Sequence, residues 1–110
     1  TVTNEIKYIT PFDVNSSDTK VSSFVTKYKE AFGAAPDQFA ADAYDAVYAI
    51  AEAMKAANIT DASISASDLC EAVKTAITSS SFQLQGVTGT MTWDASGACN
   101  KEPQVVDIKK

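Results

Sequence analysis

Residue patterning along the chain predicts an α/β fold in the order β-α-α-α-β-β. Three stretches repeat apolar residues at a period near 3.6, which marks amphipathic helices. Shorter stretches toward both ends alternate with a period of two, which marks strands. Glycine, proline, acids and hydroxyls punctuate the boundaries. A chain of 110 residues has room for one small domain.

Glu5 to Phe12 reads as the first strand, with Ile6, Tyr8 and Thr10 alternating with Lys7 and Ile9 until Pro11 ends it. A polar loop from Asp13 to Ser17 follows. Asp18 is a candidate N-cap, since a carboxylate there accepts from the first free amides. The first helix runs to about Phe32, with Val21, Phe24, Val25, Tyr28 and Phe32 on one face and Gly33 as its stop.

Ala34-Ala35-Pro36 is a short connection. The second helix runs from about Asp37 to Ala57, with Tyr44, Val47, Tyr48, Ala51 and Met54 as its stripe and Asn58 closing it. Alanine favours helix and lets neighbouring backbones approach closely, so burial on more than one side is expected. Ser65 or Ser67 caps a third helix, striped by Leu69, Val73 and Ile77 and ended by residues 78–81.

Phe82 to Leu84 is a short extended piece. Val87, Gly89, Met91 and Trp93 alternate with Thr88, Thr90 and Thr92, which predicts a strand over 87–93. Asp94-Ala95-Ser96-Gly97 is turn chemistry. After a loop through Pro103, the stretch from Val105 to Ile108 is the last strand. Three helices with so few strands close a sheet poorly. The core is therefore expected to be shared with another segment or chain, and self-association is expected.

Hydrophobic residues make up 45% of the chain, its net charge is −5 and its pI is about 4.5. Apart from the terminal Lys109-Lys110 pair there is no basic cluster. That argues against nucleic acid and against an anionic membrane surface as partners. No apolar run approaches the roughly 20 residues needed to span a bilayer, and Thr1-Val2-Thr3 shows no signal peptide, as expected of a mature or excised segment. Two cysteines without histidine cannot build a Cys/His zinc site. Cys70 and Cys99 are also too far apart for a CxxC redox motif. They are either a disulfide pair or two unrelated thiols.

Asp42 and Asp45 stand three apart on one side of the second helix. Paired carboxylates can do acid/base work, but near a helix N-terminus they more simply form a polar face. Lacking histidine, the chain offers no evident nucleophile and base set. Gly86-Val87-Thr88-Gly89 has neither the lysine nor the following helix of a phosphate loop. It reads as a lead into a strand where backbones approach closely. The turn at Asp94 lacks the alternating acids of a calcium loop. Tyr44 and Trp93 are expected in the core. Phe39, at the start of the second helix, is either a core residue or an aromatic projecting into a cleft.

Several pieces follow one another in order: Ile6-Lys7-Tyr8-Ile9-Thr10-Pro11-Phe12-Asp13, then the segment from Phe24 to Gly33, Pro36, Tyr44-Asp45-Ala46, Gly86-Val87-Thr88-Gly89, Trp93-Asp94 and Gly97. Together they resemble the C-terminal part of the branched-chain amino-acid-binding proteins. These are the solute receptors of ABC importers, with the type I periplasmic-binding-protein fold. The resemblance implies an incomplete part of a two-lobe α/β fold. Residues 1–110 would be one segment, mostly first-lobe elements, with ends near the inter-lobe crossovers.

It also implies a binding function and no enzyme activity or cofactor. An amino acid, branched-chain or similar, would be captured by lobe closure and delivered to an ABC permease outside the cytoplasm. A signalling ectodomain with the same fold is the alternative. One position carries over: Phe39, five residues before Tyr44, matches an aromatic lining the solute's side-chain pocket. The anchors for the solute's carboxylate and ammonium are absent, so the 110 residues alone are expected not to hold an amino acid.

Overall fold

Local capping chemistry sets the helix boundaries in the computed structural model, which describes residues 6–108. Helix α1 (Thr19–Phe32) begins where the Asp18 carboxylate accepts from the amides of Lys20 and Val21. It ends at Gly33, whose left-handed φ of 71° lets its amide return to the Lys29 carbonyl. Helix α2 (Gln38–Ala56) starts at Asp37, which accepts from the Ala40 amide. Asn58 follows it with a positive φ of 52°. Of the two candidate caps for α3 (Ala66–Ile77), Ser65 is the one used. Its hydroxyl accepts from the Asp68 amide and donates to the Asp68 carboxylate.

The strands are short. β1 (Ile6–Thr10) pairs antiparallel with β5 (Gln104–Ile108), and Lys7 lies opposite Asp107 as an ion pair at 3.3 Å. A separate antiparallel sheet runs β2 (Leu84–Gln85), β3 (Thr90–Trp93) and β4 (Cys99–Lys101). The observed order is thus βαααββββ. The α/β class and the three helices agree with the sequence reading. β4 was expected to be loop, because Cys99-Asn100-Lys101 carries no strand pattern of its own. The Asp94 turn brings it beside β3, with Asp94 accepting from the amides of Ser96 and Ala98.

The predicted strand over 87–93 also begins later, at Thr90. Residues 86–89 turn instead, closed by the Gly86 amide on the Gly89 carbonyl at 2.9 Å, with Gly89 at φ 116°.

Two small cores lie along one face of α2. Phe12, Val21, Phe24, Val25, Ala41 and Val87 form the first. Ala49, Ala53, Phe82, Leu84 and Met91 form the second, flanked by Val73, Ile77 and Trp93. The face turned inward is therefore Ala41, Asp45, Ala49 and Ala53, not the predicted stripe, and Val47 and Tyr48 are exposed. Small side chains let α1, α3 and the β2–β4 sheet approach the α2 backbone, which a stripe of large residues would hold off.

Phe32, placed on the inner face of the first helix by its spacing, is exposed and stacks on Tyr28 at 4.6 Å. The chain's radius of gyration is 17.1 Å, against about 13 Å for a compact domain of this size. The β1–β5 ribbon accounts for much of the exposed apolar surface, through Ile6, Tyr8, Ile9, Val105 and Ile108.

Candidate functional site

Between the two cores sits a charged residue. Asp45 is 2% exposed. Its Oδ1 accepts from the Val87 amide at 2.8 Å, and its Oδ2 accepts from the Thr88 amide at 2.8 Å and the Thr88 hydroxyl at 2.6 Å. A buried carboxylate is tolerated when donors surround it, and here both oxygens are used. Its four-residue spacing from Ala41 and Ala49 puts it on the packed face. That spacing was the one sequence signal for its role, and the polar-face reading of Asp42 and Asp45 missed it.

The close approach explains Gly86. A Cβ there would overlap Asp45 Oδ2 and the Met91 methyl carbon. The glycine at the lead into the strand is thus required by close approach, as its sequence context suggested, although the neighbours are the Asp45 and Met91 side chains rather than a backbone.

Asp42 extends the network. Its carboxylate pairs with Lys101 at 2.9 Å, and the same ammonium donates to the Thr88 hydroxyl at 2.9 Å. Three distant elements (α2, the 86–89 turn and β4) therefore meet in one chain of charge-assisted hydrogen bonds. It is a structural tie: the Thr88 hydroxyl and the Asp45 carboxylate that accepts from it are both buried. Among the described residues, no group of three His, Cys, Asp or Glu side chains is gathered to hold a metal.

Beside the tie lies a cleft of about 450 Å³ between the start of α1, the middle of α2 and β2. Tyr44, Tyr48, Glu52, Lys20, Gln83 and Gln85 line it. The Tyr44 hydroxyl donates to that of Tyr48 at 3.3 Å, and the two rings stack 4.8 Å apart. That hydrogen bond first, then burial and the nearby Tyr48 and Asp45 charges, push the Tyr44 phenol up to about 12. Lys20 is oriented by the Gln85 carbonyl, to which its ammonium donates. The cleft thus offers the Lys20 cation, the Glu52 carboxylate with the buried Asp45 behind it, amides and aromatic faces, the groups that hold a small polar solute. A smaller hollow of about 280 Å³ adjoins it, walled by Phe24, Tyr28, Phe32 and Tyr44 with Lys20 and Lys27 at its rim.

Phe39 lines neither cavity. It projects from the first turn of α2 and is 71% exposed, so the core reading of this residue does not hold. Tyr44 and Trp93 are half-buried at the edges of their cores, against Phe24 at 4.6 Å and Phe82 at 5.9 Å. Cys70 and Cys99 are free thiols on the surface, so the disulfide alternative is not formed. Partial burial raises the Cys99 thiol above its ordinary value, and Lys101 opposes that shift.

The sequence profile of the receptor family ligand binding region matches residues 2–110. The chain belongs to that family. Members and structural neighbours are binding proteins. A solute-binding protein of an ABC transporter from Rhodopseudomonas palustris BisB5, solved with 3,4-dihydroxybenzoic acid, superposes with a TM-score of 0.76 at 17% identity over 96% of this chain. A second R. palustris solute-binding protein, solved with benzoate, gives 0.70 at 16% identity over 96%. A protein from Rhodospirillum rubrum assigned as a branched-chain amino acid ABC transporter gives 0.67 at 28% identity over 90%.

The chain spans 27% of each of these structures. The fold is thus part of a type I periplasmic-binding-protein fold, as the resemblance implied. No curated protein sequence matches the chain. No described helix is long and apolar enough to cross a membrane.

Proposed function

We propose that these residues are one segment of an extracytoplasmic solute receptor that closes two lobes on a small molecule and delivers it to an ABC permease. The observation that carries the proposal is the match of nearly the whole chain to about a quarter of ABC solute-binding proteins. The elongated shape and the two thin cores support it, because both leave apolar surface that a larger body would cover. In this reading residues 1–110 supply mostly first-lobe elements with ends near the crossovers. No reaction occurs, and binding energy comes from buried polar groups and the closed interface.

Phe39 is the side-chain contact in this proposal. An aromatic at a helix start, and left largely uncovered by its own chain, suits one wall of an apolar subsite. The solute class is an amino acid, branched-chain or similar, with aromatic carboxylates as the competing class suggested by the ligands of the neighbours. A signalling ectodomain is the second reading, favoured by the receptor-family match.

A thermal-shift screen tests the proposal on the full receptor, with the 110-residue chain alongside. Amino acids, benzoate and dihydroxybenzoate are the probes. Stabilisation of the receptor by one class and no response from the chain alone is expected. Saturable leucine binding by the chain alone would overturn the view that its pocket is incomplete. No response from either protein would remove the importer reading.

A further inference from the structure

Two asparagines begin the triplet Asn-X-Ser/Thr: Asn15-Ser16-Ser17 and Asn58-Ile59-Thr60. Oligosaccharyltransferases read this triplet and join a glycan to the asparagine side chain. They need it at the surface, on a backbone free to bend into their site. The two triplets differ in how the fold holds them and in what precedes them.

Asn15 stands in the loop between β1 and α1. Both flanks of that loop are anchored: Phe12 is buried, Val14 packs on the first core, and Asp18 caps α1. Between these anchors Asn15 and Ser17 are exposed and lie outside regular structure. A local turn sets them there. The Asp13 carboxylate accepts from the Asn15 amide at 2.9 Å, and the Asp13 carbonyl accepts from the Ser16 amide at 3.1 Å. Apart from Val14, residues 13–18 are acids, an amide and hydroxyls. Unlike the outer face of α2, this loop carries no apolar surface that calls for a larger body to cover it. Asp13 also places a carboxylate two residues before the asparagine, a charge that an arginine of a transferase can pair with.

Asn58 is also exposed, but it is wound onto the end of α2. It has a left-handed φ of 52°, its amide donates to the Lys55 carbonyl, and the Ile59 amide returns to the Met54 carbonyl at 3.1 Å. Ala56 takes the place that Asp13 has before Asn15.

We propose that Asn15 is an N-glycosylation site, read by an oligosaccharyltransferase of the class that recognises an acid two residues before the asparagine. The donor is an oligosaccharide linked to a polyprenyl pyrophosphate. Asn15 Nδ2 attacks the anomeric carbon of the first sugar and the bond from that carbon to the pyrophosphate oxygen breaks. A carboxylate of the transferase takes the Nδ2 proton, and the polyprenyl pyrophosphate leaves. The Ser17 hydroxyl is the hydrogen-bonding group by which the transferase holds the triplet. The proposal rests on the extracytoplasmic reading for the encounter, because such enzymes act outside the cytoplasm. The acceptor chemistry is read separately, with purified components.

The full receptor, folded and incubated with such a transferase and its lipid-linked donor, tests the proposal by intact mass and peptide mapping. One glycan on Asn15 is expected. Asn15→Gln and Ser17→Ala should abolish the adduct, and Asn58→Gln should leave it unchanged. Asp13→Asn keeps an acceptor for the Asn15 amide and removes the charge, and it should slow transfer by at least about tenfold. Circular dichroism checks that each variant is folded. A folded receptor that takes no glycan overturns the proposal; if its unfolded chain is then modified, another part of the receptor covers the loop. Transfer to Asn58 alone, or transfer to Asn15 undiminished in Asp13→Asn, also overturns it. None of these outcomes bears on solute binding, which the thermal-shift screen reads.

Discussion

The inner face of α2 carries Ala41, Asp45, Ala49 and Ala53, and its outer face carries Phe39, Val47 and Ile50. Ranked by hydrophobicity alone, these faces would be reversed. The inner face is buried because its side chains are small. Both cores and the 86–89 turn come close to the helix backbone, and the one charge among them is fully hydrogen-bonded. The outer face, with more apolar area per residue, stays largely exposed in the described chain. Burial here follows what the neighbouring elements can reach, and the exposed stripe marks where a further body fits.

The largest expected effect comes from breaking the inner face at its charge. Asp45→Ala leaves two buried amides and a hydroxyl without an acceptor and should destabilise the chain by about 4 kcal/mol, read by urea denaturation. Asp45→Asn keeps one acceptor and should lose less. If Asp45→Ala changes stability by under about 1 kcal/mol, the carboxylate does not tie the turn. Gly86→Ala comes next, at about 2 kcal/mol, because its methyl displaces the same carboxylate. The two changes attack one contact, so the double variant should cost clearly less than their sum.

A smaller effect varies with pH only in the alkaline range. Tyr44 is raised from 10.0 to about 12 in the fold, first by its hydrogen bond to Tyr48. The unfolded chain then gives up this proton earlier. The contribution is whole below pH 10 and is lost as pH rises toward 12. Tyr44→Phe should flatten that part of the stability profile and should lower stability near neutrality, where the contribution is whole. An unaltered alkaline slope would assign it to other groups. The smallest effect belongs to the outer face. At a dilution where the chain is monomeric, Val47→Ser should shift stability by no more than about 0.5 kcal/mol.

The helices were legible because their signals are local. Asp18, Gly33, Asp37, Asn58 and Ser65 act within a few residues of where they stand; Asp18, Gly33 and Asn58 do what their positions suggested, Ser65 was one of two candidates, and Asp37 was read as a helix start rather than as its cap. The glycine at 86 was legible in kind, as a place of close approach, but not in partner. Asp45 was misread because its donors lie 42 and 43 residues away, and periodicity within a helix says nothing about them. β4 was missed for a similar reason: its three residues are extended only because β3 lies beside them. For the candidate site, the sequence pointed to Phe39 and expected Tyr44 in the core. The cleft that Tyr44 shares with Lys20, Glu52 and Gln85 appears only once α1, α2 and β2 are assembled.

By itself the sequence determined the α/β class, the three helices with most of their end signals, and the alanine-rich character of the second helix. Those properties depend on hydrogen bonds and rotamers within one or two turns, which a linear pattern encodes. The burial on more than one side expected for that helix is not found, since Val47 and Ile50 are exposed. Only the tertiary structure decided which side of α2 is inner, that Asp45 and Gly86 share one contact, and that residues 86–89 turn rather than extend. Each of these depends on which distant backbone reaches a given surface, and that follows from packing of the assembled chain rather than from any local preference.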